Sequence, residues 1–318
     1  MQLGRKLAAI LFAVSACAAI PAAAQSYPSK PIKVIIGYGV GGVTDIINRL
    51  VADEVGKRLG QPMTVENRPG AAALVAGTAV KSAPADGYTL FGGSVLEFHP
   101  IFMKASLDAT REMTPISTYA FGDWFLYVPT GINVNSLKDL AAYAKANPGK
   151  VRFAALATSN QMLFTLVAKR LGFPFDNVPY KTGDQTIAAL LTGDAIATFN
   201  AATGFDGLIQ AGKLKSIATL SGARSPIRPD VQTAKEQGLD LEIRFNLGLW
   251  GPPALPADVV GKLNAAVREA IRMPAVAEKI RNAALTPTPS SPEEMLRDFN
   301  ALVAAYKEAI AVSGYQPQ

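Results

Sequence analysis

The stretch from residue 31 to residue 55 constrains the fold more than any other. Pro31-Ile32-Lys33-Val34-Ile35-Ile36 is a short, β-branched apolar run, the signature of a buried strand. It ends in Gly37-Tyr38-Gly39-Val40-Gly41-Gly42, after which Ile46, Ile47, Leu50, Val51 and Val55 recur at helical spacing. A buried strand that turns through glycines into an amphipathic helix is half of a βαβ unit, whose parallel strands need helices over both faces. Met63 to Glu66 continues as a strand, Asn67-Arg68-Pro69-Gly70 as a turn, Ala71 to Lys81 as a helix and Tyr88 to Phe91 as a third strand.

The pattern recurs further on. Trp124 to Val128 reads as a strand and Ser136 to Ala146 as a helix, with Ser136 and Asp139 at capping-box spacing. Strands are expected at Val151 to Ala154, Val178 to Tyr180, Ile196 to Phe199 and Lys215 to Thr219, with helices at Gln161 to Leu171 and Gln185 to Leu191. Leu247 to Trp250 starts a third stretch, leading to helices opened by Pro256 and by Ser291-Pro292-Glu293-Glu294. No long linker separates these series. Two α/β domains joined by strands suit a hinged pair with a cleft between them.

The N-terminus addresses compartment. Arg5 and Lys6 precede an apolar run from Leu7 to Ile20, then Pro21 and Ala22-Ala23-Ala24. This is the pattern of a secretory signal cleaved after Ala24, and the run falls short of the ~20 residues of a membrane span. Val14-Ser15-Ala16-Cys17 also reads as a lipobox with Cys17 as the lipidated residue, a competing form of export. Loss of Arg5 and Lys6 lowers the net charge from +6 to +4. That mild excess, without basic clusters, suits small anions better than nucleic acid. Cys17 is the single cysteine and His99 the single histidine, so a disulfide framework, a cysteine-based zinc cluster and a two-histidine metal site are excluded. No cofactor is expected.

Gly37-x-Gly39-x-x-Gly42 matches the dinucleotide fingerprint, and Glu66 ends the next strand near the ~20-residue offset of a ribose-binding acid. Export weighs against a nicotinamide enzyme. A second reading keeps the physics: backbone N–H groups of a glycine turn and the positive end of a helix hold any anion, carboxylate included. A third is a tight turn with no ligand.

At this loop the sequence resembles the Bug-type substrate-binding proteins of tripartite tricarboxylate transporters. The resemblance begins with Tyr27-Pro28-Ser29-Lys30-Pro31-Ile32 and runs through Gly41-Gly42-Val43-Thr44-Asp45, Val65-Glu66-Asn67-Arg68-Pro69-Gly70 and Ala85-Asp86-Gly87-Tyr88-Thr89-Leu90. Val178-Pro179-Tyr180-Lys181, Ala211-Gly212-Lys213-Leu214-Lys215, Arg224-Ser225, Pro229-Asp230-Val231, Thr233 and Gly251-Pro252-Pro253 follow in order. It implies a two-lobed α/β periplasmic binding protein of type II, the Venus-flytrap kind, with a hinge and an interlobe cleft. Lobe 1 is expected over residues 25–122 plus 248–318 and lobe 2 over 123–247. The implied role is capture of a di-, tri- or aromatic carboxylic acid and delivery to inner-membrane permease subunits, by a monomer that binds no nucleic acid. An exported α/β enzyme acting on a carboxylate or nucleotide is the alternative, against which stand the lone His99 and the lack of a nucleophile motif.

The resemblance implies ligand contacts from Tyr38, Gly41, Gly42, Thr44, Asp45 and Ser94 on lobe 1. Lobe 2 supplies a loop of Thr158, Ser159 and Asn160, a turn of Thr182, Gly183 and Asp184, and Asn200. Backbone N–H groups, hydroxyls and water, rather than an arginine clamp, carry such binding. Gly39 and Val40 replace the family's usual prolines, Phe164 its usual histidine, and Asn200 a frequent aspartate, which leans against an amino-acid ligand. Phe164, Trp124 and Phe125 belong to the core on their periodicity, and His99 to the surface or a turn. Asp45 sits where any helix favours a carboxylate, and otherwise would orient a ligand-bound water.

Overall fold

The computed structural model describes residues 27–180 and 182–317. The signal sequence, Cys17 and Lys181 lie outside the described residues. In chain order the elements are β1 (Ile32–Ile36), α1 (Val43–Leu59), β2 (Met63–Asn67), α2 (Leu74–Lys81), β3 (Thr89–Gly93), α3 (Ala109–Glu112) and β4 (Thr114–Asp123). Next come β5 (Phe125–Pro129), α4 (Leu137–Ala146), β6 (Arg152–Ala155), α5 (Thr158–Leu171), β7 (Asp176–Pro179), α6 (Gly183–Thr192) and β8 (Thr198–Asn200). Then follow α7 (Asp206–Gln210), β9 (Leu214–Thr219), β10 (Arg244–Gly251), α8 (Ala257–Arg272), α9 (Pro274–Asn282), β11 (Leu285–Pro287) and α10 (Pro292–Ser313).

Six strands form one sheet in the order β11-β4-β10-β3-β1-β2. Parallel pairing of β1 sets Val34 against Val65 on one side and Leu90 on the other. Its alternation feeds two cores. Ile32, Val34 and Ile36 face Ile47, Val51 and Val55 of α1 and Val259, Leu263 and Val267 of α8, whereas Ile35 joins Ala76 and Val80 of α2 with Phe91 and Phe98. A three-stranded sheet, β8-β5-β9, and the pair β6-β7 make the second body.

The chain leaves the first sheet between Asp123 and Phe125 and returns along β10. Residues 244–247, expected in the second lobe, pair with β4 in the first sheet, and Asp123, expected there too, is the last residue of β4 and lies opposite Arg244. The cause is local: Arg244 pairs with Asp123, Nε to Oδ1 at 2.9 Å, so the two crossing strands stay zipped to the boundary. Trp124, at the crossing, is half-buried against Phe245, ring centroids 4.9 Å apart. Helix α10, opened by the Ser291–Glu294 capping box, packs on β4 and on α5 and so spans both bodies.

Strand β4 escapes a periodicity reading, because Pro115, Gly122 and the buried Ser117 and Thr118 do not look like a central strand. Phe125 and Phe164 are fully buried, Phe164 stacking on Phe153 at 4.2 Å, so both belong to the core. His99 does sit in a turn but is not at the surface: it is 6% exposed, and its Nδ1 accepts the Ile101 N–H at 3.3 Å.

The helix expected over 71–81 starts late. Ala71, Ala72 and Ala73 have φ of 44°, 52° and 72° and form a left-handed turn before α2. An L-residue pays ~1–2 kcal/mol for that conformation, less what a glycine would lose in unfolded-chain entropy. Ala72 is exposed, so Ala72→Gly removes the strain without removing packing. It is predicted to raise the unfolding free energy by about 0.5–1 kcal/mol, whereas Ala79→Gly inside α2 lowers it by about 1 kcal/mol. Urea unfolding curves of the two variants check this.

Candidate functional site

Helix α1 opens from Gly42, whose backbone is extended and whose missing side chain leaves the first helical N–H groups uncapped. Gly41 takes φ +85°, a conformation glycine adopts without penalty. Its N–H donates to Asp45 Oδ2 at 3.0 Å. Asp45 Oδ1 accepts from Arg49 Nε at 3.0 Å and Asn67 Nδ2 at 2.9 Å. Asn67 Nδ2 also donates to the Tyr38 carbonyl at 3.0 Å, and Asn67 Oδ1 accepts from Arg49 Nη2 at 2.7 Å. Arg49 foremost, then the Gly41 and Asn67 donors, hold the Asp45 carboxyl down at about 2 against the opposing effect of burial.

Asp45 is 2% exposed and engaged by three donors, which tie the glycine loop and the end of β2 to the first turn of α1. The Gly41 N–H is engaged with it, and the helical ladder of α1 begins with the Ile46 N–H donating to the Gly42 carbonyl at 3.0 Å, so the N–H groups of Val43, Thr44 and Asp45 precede that ladder. Gly42 needs no left-handed backbone, so only close approach of a ligand would demand glycine there.

Behind the loop, buried Asn48 donates to the Thr44 carbonyl at 2.8 Å and accepts from the Tyr119 hydroxyl at 2.8 Å. A Cβ on Gly92 would stand 2.0 Å from Asn48 Oδ1, so the glycine at the end of β3 makes room for this amide. Tyr38 donates its hydroxyl to the Ser94 carbonyl at 3.3 Å, and its ring covers Gly93. Tyr38, Thr44 and Ser94 are thus neighbours.

Across from them, Thr158, Ser159 and Asn160 are not a loop. They form the first turn of α5, whose cap residue Ala157 brings no side-chain acceptor. Ser159 and Asn160 are each 1% exposed, and Asn160 Nδ2 donates to the Phe199 carbonyl at 2.8 Å. Thr182 caps α6 through the Gln185 N–H at 3.4 Å, which puts Gly183 and Asp184 in the first helical turn. Asn200 Nδ2 reaches Thr186 Oγ1 of the same helix at 3.2 Å. Among the described residues, no hydrogen bond ties Thr182, Gly183 or Asp184 to the first sheet.

Glu97, from the segment after β3, connects the two sides. Its carboxyl lies against the Ser159 N–H and hydroxyl, and its charge acts on the phenols of Tyr38 and Tyr306. The approach is loose, since Ser159 Oγ and Tyr306 Oη are buried without a partner in hydrogen-bonding geometry. Burial raises the Glu97 carboxyl above its ordinary value, outweighing Ser159. Surface cavities of 690, 410 and 440 Å³ lie elsewhere: beside α5 and Tyr315, around Arg224, and around Asn246. No candidate residue lines them.

Residues 47–311 match the family model described as the tripartite tricarboxylate transporter family receptor. The chain belongs to that receptor family. It is 32% identical over 275 residues to a UPF0065 protein from the gbd 5' region of Cupriavidus necator, covering 85% of this chain and 84% of that one. Protein BugT of Bordetella pertussis is 31% identical over 307 residues, covering 92% and 93%. The solved periplasmic binding protein BugD superposes with TM-score 0.77 at 25% identity, over 92% of this chain and 100% of that one. Two Rhodopseudomonas palustris structures share the fold: Rpa4515 with adipate (TM-score 0.80, 24% identity, 92% and 100% covered) and MatC with malate (0.76, 24%, 89% and 100%). The receptor therefore has the two-lobed type II fold of periplasmic binding proteins, and its family role is solute capture for a transporter rather than catalysis.

Around the receptor's loop stand three residues to which the sequence reading assigns no role at the site, Asn48, Asn67 and Glu97. Asn48 is a polar interruption of the apolar stripe Ile47-Val51-Val55, a visible signal. Asn67 reads as a turn residue in the sequence but is the last residue of β2, opposite Ile36, and only the fold brings it to Asp45. Glu97 is a lone acid within Val95-Leu96-Glu97-Phe98, which is visible as an anomaly but not as a contact with Ser159.

Folding lowers the Asp45 pKa from 3.8 to about 2. Its ionised form thus stabilises the receptor fully above pH ~4, and this contribution, about 2 kcal/mol, is lost as pH falls through 2. Asp45→Asn is predicted to be less stable than the parent by about that amount at pH 6, with the gap closing toward pH 2. Urea unfolding at several pH values measures the gap.

Proposed function

We propose that the receptor closes on a small carboxylate held between the start of α1 and the start of α5, and hands it to the membrane subunits of its transporter. The observation that carries this reading is the pair of helix starts whose own cap residues supply no side-chain acceptor, with Tyr38, Thr44 and Ser94 clustered at one and the buried Ser159 and Asn160 in the other. Helix-start N–H groups favour anions and need no basic partner. Arg49, the basic side chain at the loop, is taken up by Asp45 and Asn67. Two related folds solved with adipate and malate support a ligand of that size and chemistry.

The contacts proposed on lobe 1 are Tyr38, Gly42, Thr44 and Ser94, with Gly41 and Asp45 shaping the loop. On lobe 2 they are Thr158, Ser159 and Asn160, with Thr182, Gly183, Asp184 and Asn200 completing the wall. The lobes divide near Asp123 and Arg244. The receptor works as a monomer without nucleic acid, after its leader is cleaved following Ala24.

A thermal-shift panel of di-, tri- and aromatic carboxylates against NAD and NADP tests the reading. A ligand at 100 times its Kd adds ~2.7 kcal/mol of stability, an easily read shift. At least one carboxylate is expected to stabilise the protein and neither nucleotide to do so. Gly41→Val, which forces a β-branched residue into φ +85°, is expected to weaken that carboxylate more than about tenfold. Stabilisation by NAD alone would overturn the reading.

A further inference from the structure

Beside the C-terminal half of α5 lies a cavity of 690 Å³, within the roughly 300–1,000 Å³ that small-molecule sites occupy. Met162, Phe173, Phe175 and Tyr315 give it an apolar wall, with Lys169 and Asn177 among its polar groups. The wall is pinned from both sides. The Tyr315 hydroxyl donates to the Phe102 carbonyl at 2.9 Å, and Ser313 Oγ meets Met162 Sδ at 3.5 Å, which ties the end of α10 down against α5. Phe173 and Phe175 both pack on the buried Phe164, with ring centroids 6.1 and 4.9 Å from it. Such a wall is ordered before any ligand arrives, which lowers the entropy cost of binding.

The charge of the cavity has one sign. Lys169 brings a cation, no carboxylate lines the cavity, and among the described residues none is ion-paired with Lys169. Two of the last carbonyls of α5 are engaged, by the Gly172 N–H on Lys169 at 3.2 Å and the Phe173 N–H on Ala168 at 3.0 Å, which blunts the negative end of the helix. Asn177 shares a strand face with Phe175, two residues earlier, and its Oδ1 is buried with no partner. A buried polar atom without a partner costs free energy that a bound donor can recover. We propose that this cavity is a second ligand site, apart from the interlobe cleft, for an aromatic carboxylate that carries a hydrogen-bond donor. The ring lies among Phe173, Phe175 and Tyr315, the carboxylate meets Lys169, and the donor completes Asn177.

The test is titration calorimetry with three probes that share one body and one hydroxyl: 6-hydroxy-2-naphthoate, its carboxamide and 6-(aminomethyl)-2-naphthol. Each is titrated into wild type and Lys169→Glu. Lys169 is exposed and stands ten residues beyond Ser159, about 15 Å along α5, so the substitution leaves the cleft and the core untouched. Wild type is expected to bind the naphthoate about tenfold more tightly than the carboxamide, and the ammonium weakest. Lys169→Glu is expected to reverse that order and to lose about tenfold for the naphthoate, the scale of one charge contact turned from attraction to repulsion. A wild type that binds none of the three, or binds the carboxamide as tightly as the naphthoate, overturns the inference. So does a naphthoate affinity unchanged in Lys169→Glu, which puts the probe in the interlobe cleft instead. None of these outcomes bears on the carboxylate reading of the cleft, whose proposed contacts do not include Lys169.

Discussion

The carboxylate of Asp45 is the point on which the glycine loop after β1 turns. Residues Gly37 to Gly42 carry no side chains that pack inward apart from Tyr38, so nothing apolar holds them. Asp45 draws in the Gly41 N–H from before the helix, Arg49 from one turn on and Asn67 from the end of β2. Asn67 then fixes the Tyr38 carbonyl. A glycine loop costs more conformational entropy to order than any other, and here one buried ionised group offsets that loss with three charge-assisted bonds. The price is an acid-sensitive loop.

A second layer supports the first. Asn48 and Tyr119 anchor the Thr44 carbonyl from the core side, so the first turn of α1 is held from behind as well as from the loop. Residues that position donors for a ligand need such support, because a shift of about 1 Å weakens each bond it touches. Lobe 2 uses a different device. Ser159 and Asn160 sit inside the first turn of α5 and are buried, and Asn160 is locked to the carbonyl of Phe199. The two walls are bridged by α10 and by the zipped strands at Asp123 and Arg244, which leaves the relative placement of the lobes to a few residues at each crossing.

Much of this was legible in the sequence. The β1–loop–α1 unit is readable because burial on both faces forces a continuous apolar run, and the Ser291–Glu294 box announces α10 because capping chemistry is local. The start of α5 was not readable: Ala157 gives no capping signal, so Thr158 to Asn160 look like a loop. Strand β4 hides behind Pro115 and Gly122, although tertiary pairing with β10 and β11 makes it central. The roles of Asp45 and Glu97 depend on partners far along the chain, Asn67 and Ser159, which no local pattern reveals. The left-handed alanines before α2 are equally silent in sequence, since alanine is the residue least expected to adopt that backbone.

The central claim is that backbone N–H groups and hydroxyls, not basic side chains, hold the ligand's charge. A crystal structure of the receptor with the carboxylate that stabilises it most tests this directly. The account predicts carboxylate oxygens within about 3 Å of N–H groups from Val43 to Asp45 and of the hydroxyls around Ser94, with Arg49 still on Asp45. A ligand carboxylate paired instead with Arg49 or any lysine, with the Asp45 network broken, would contradict it.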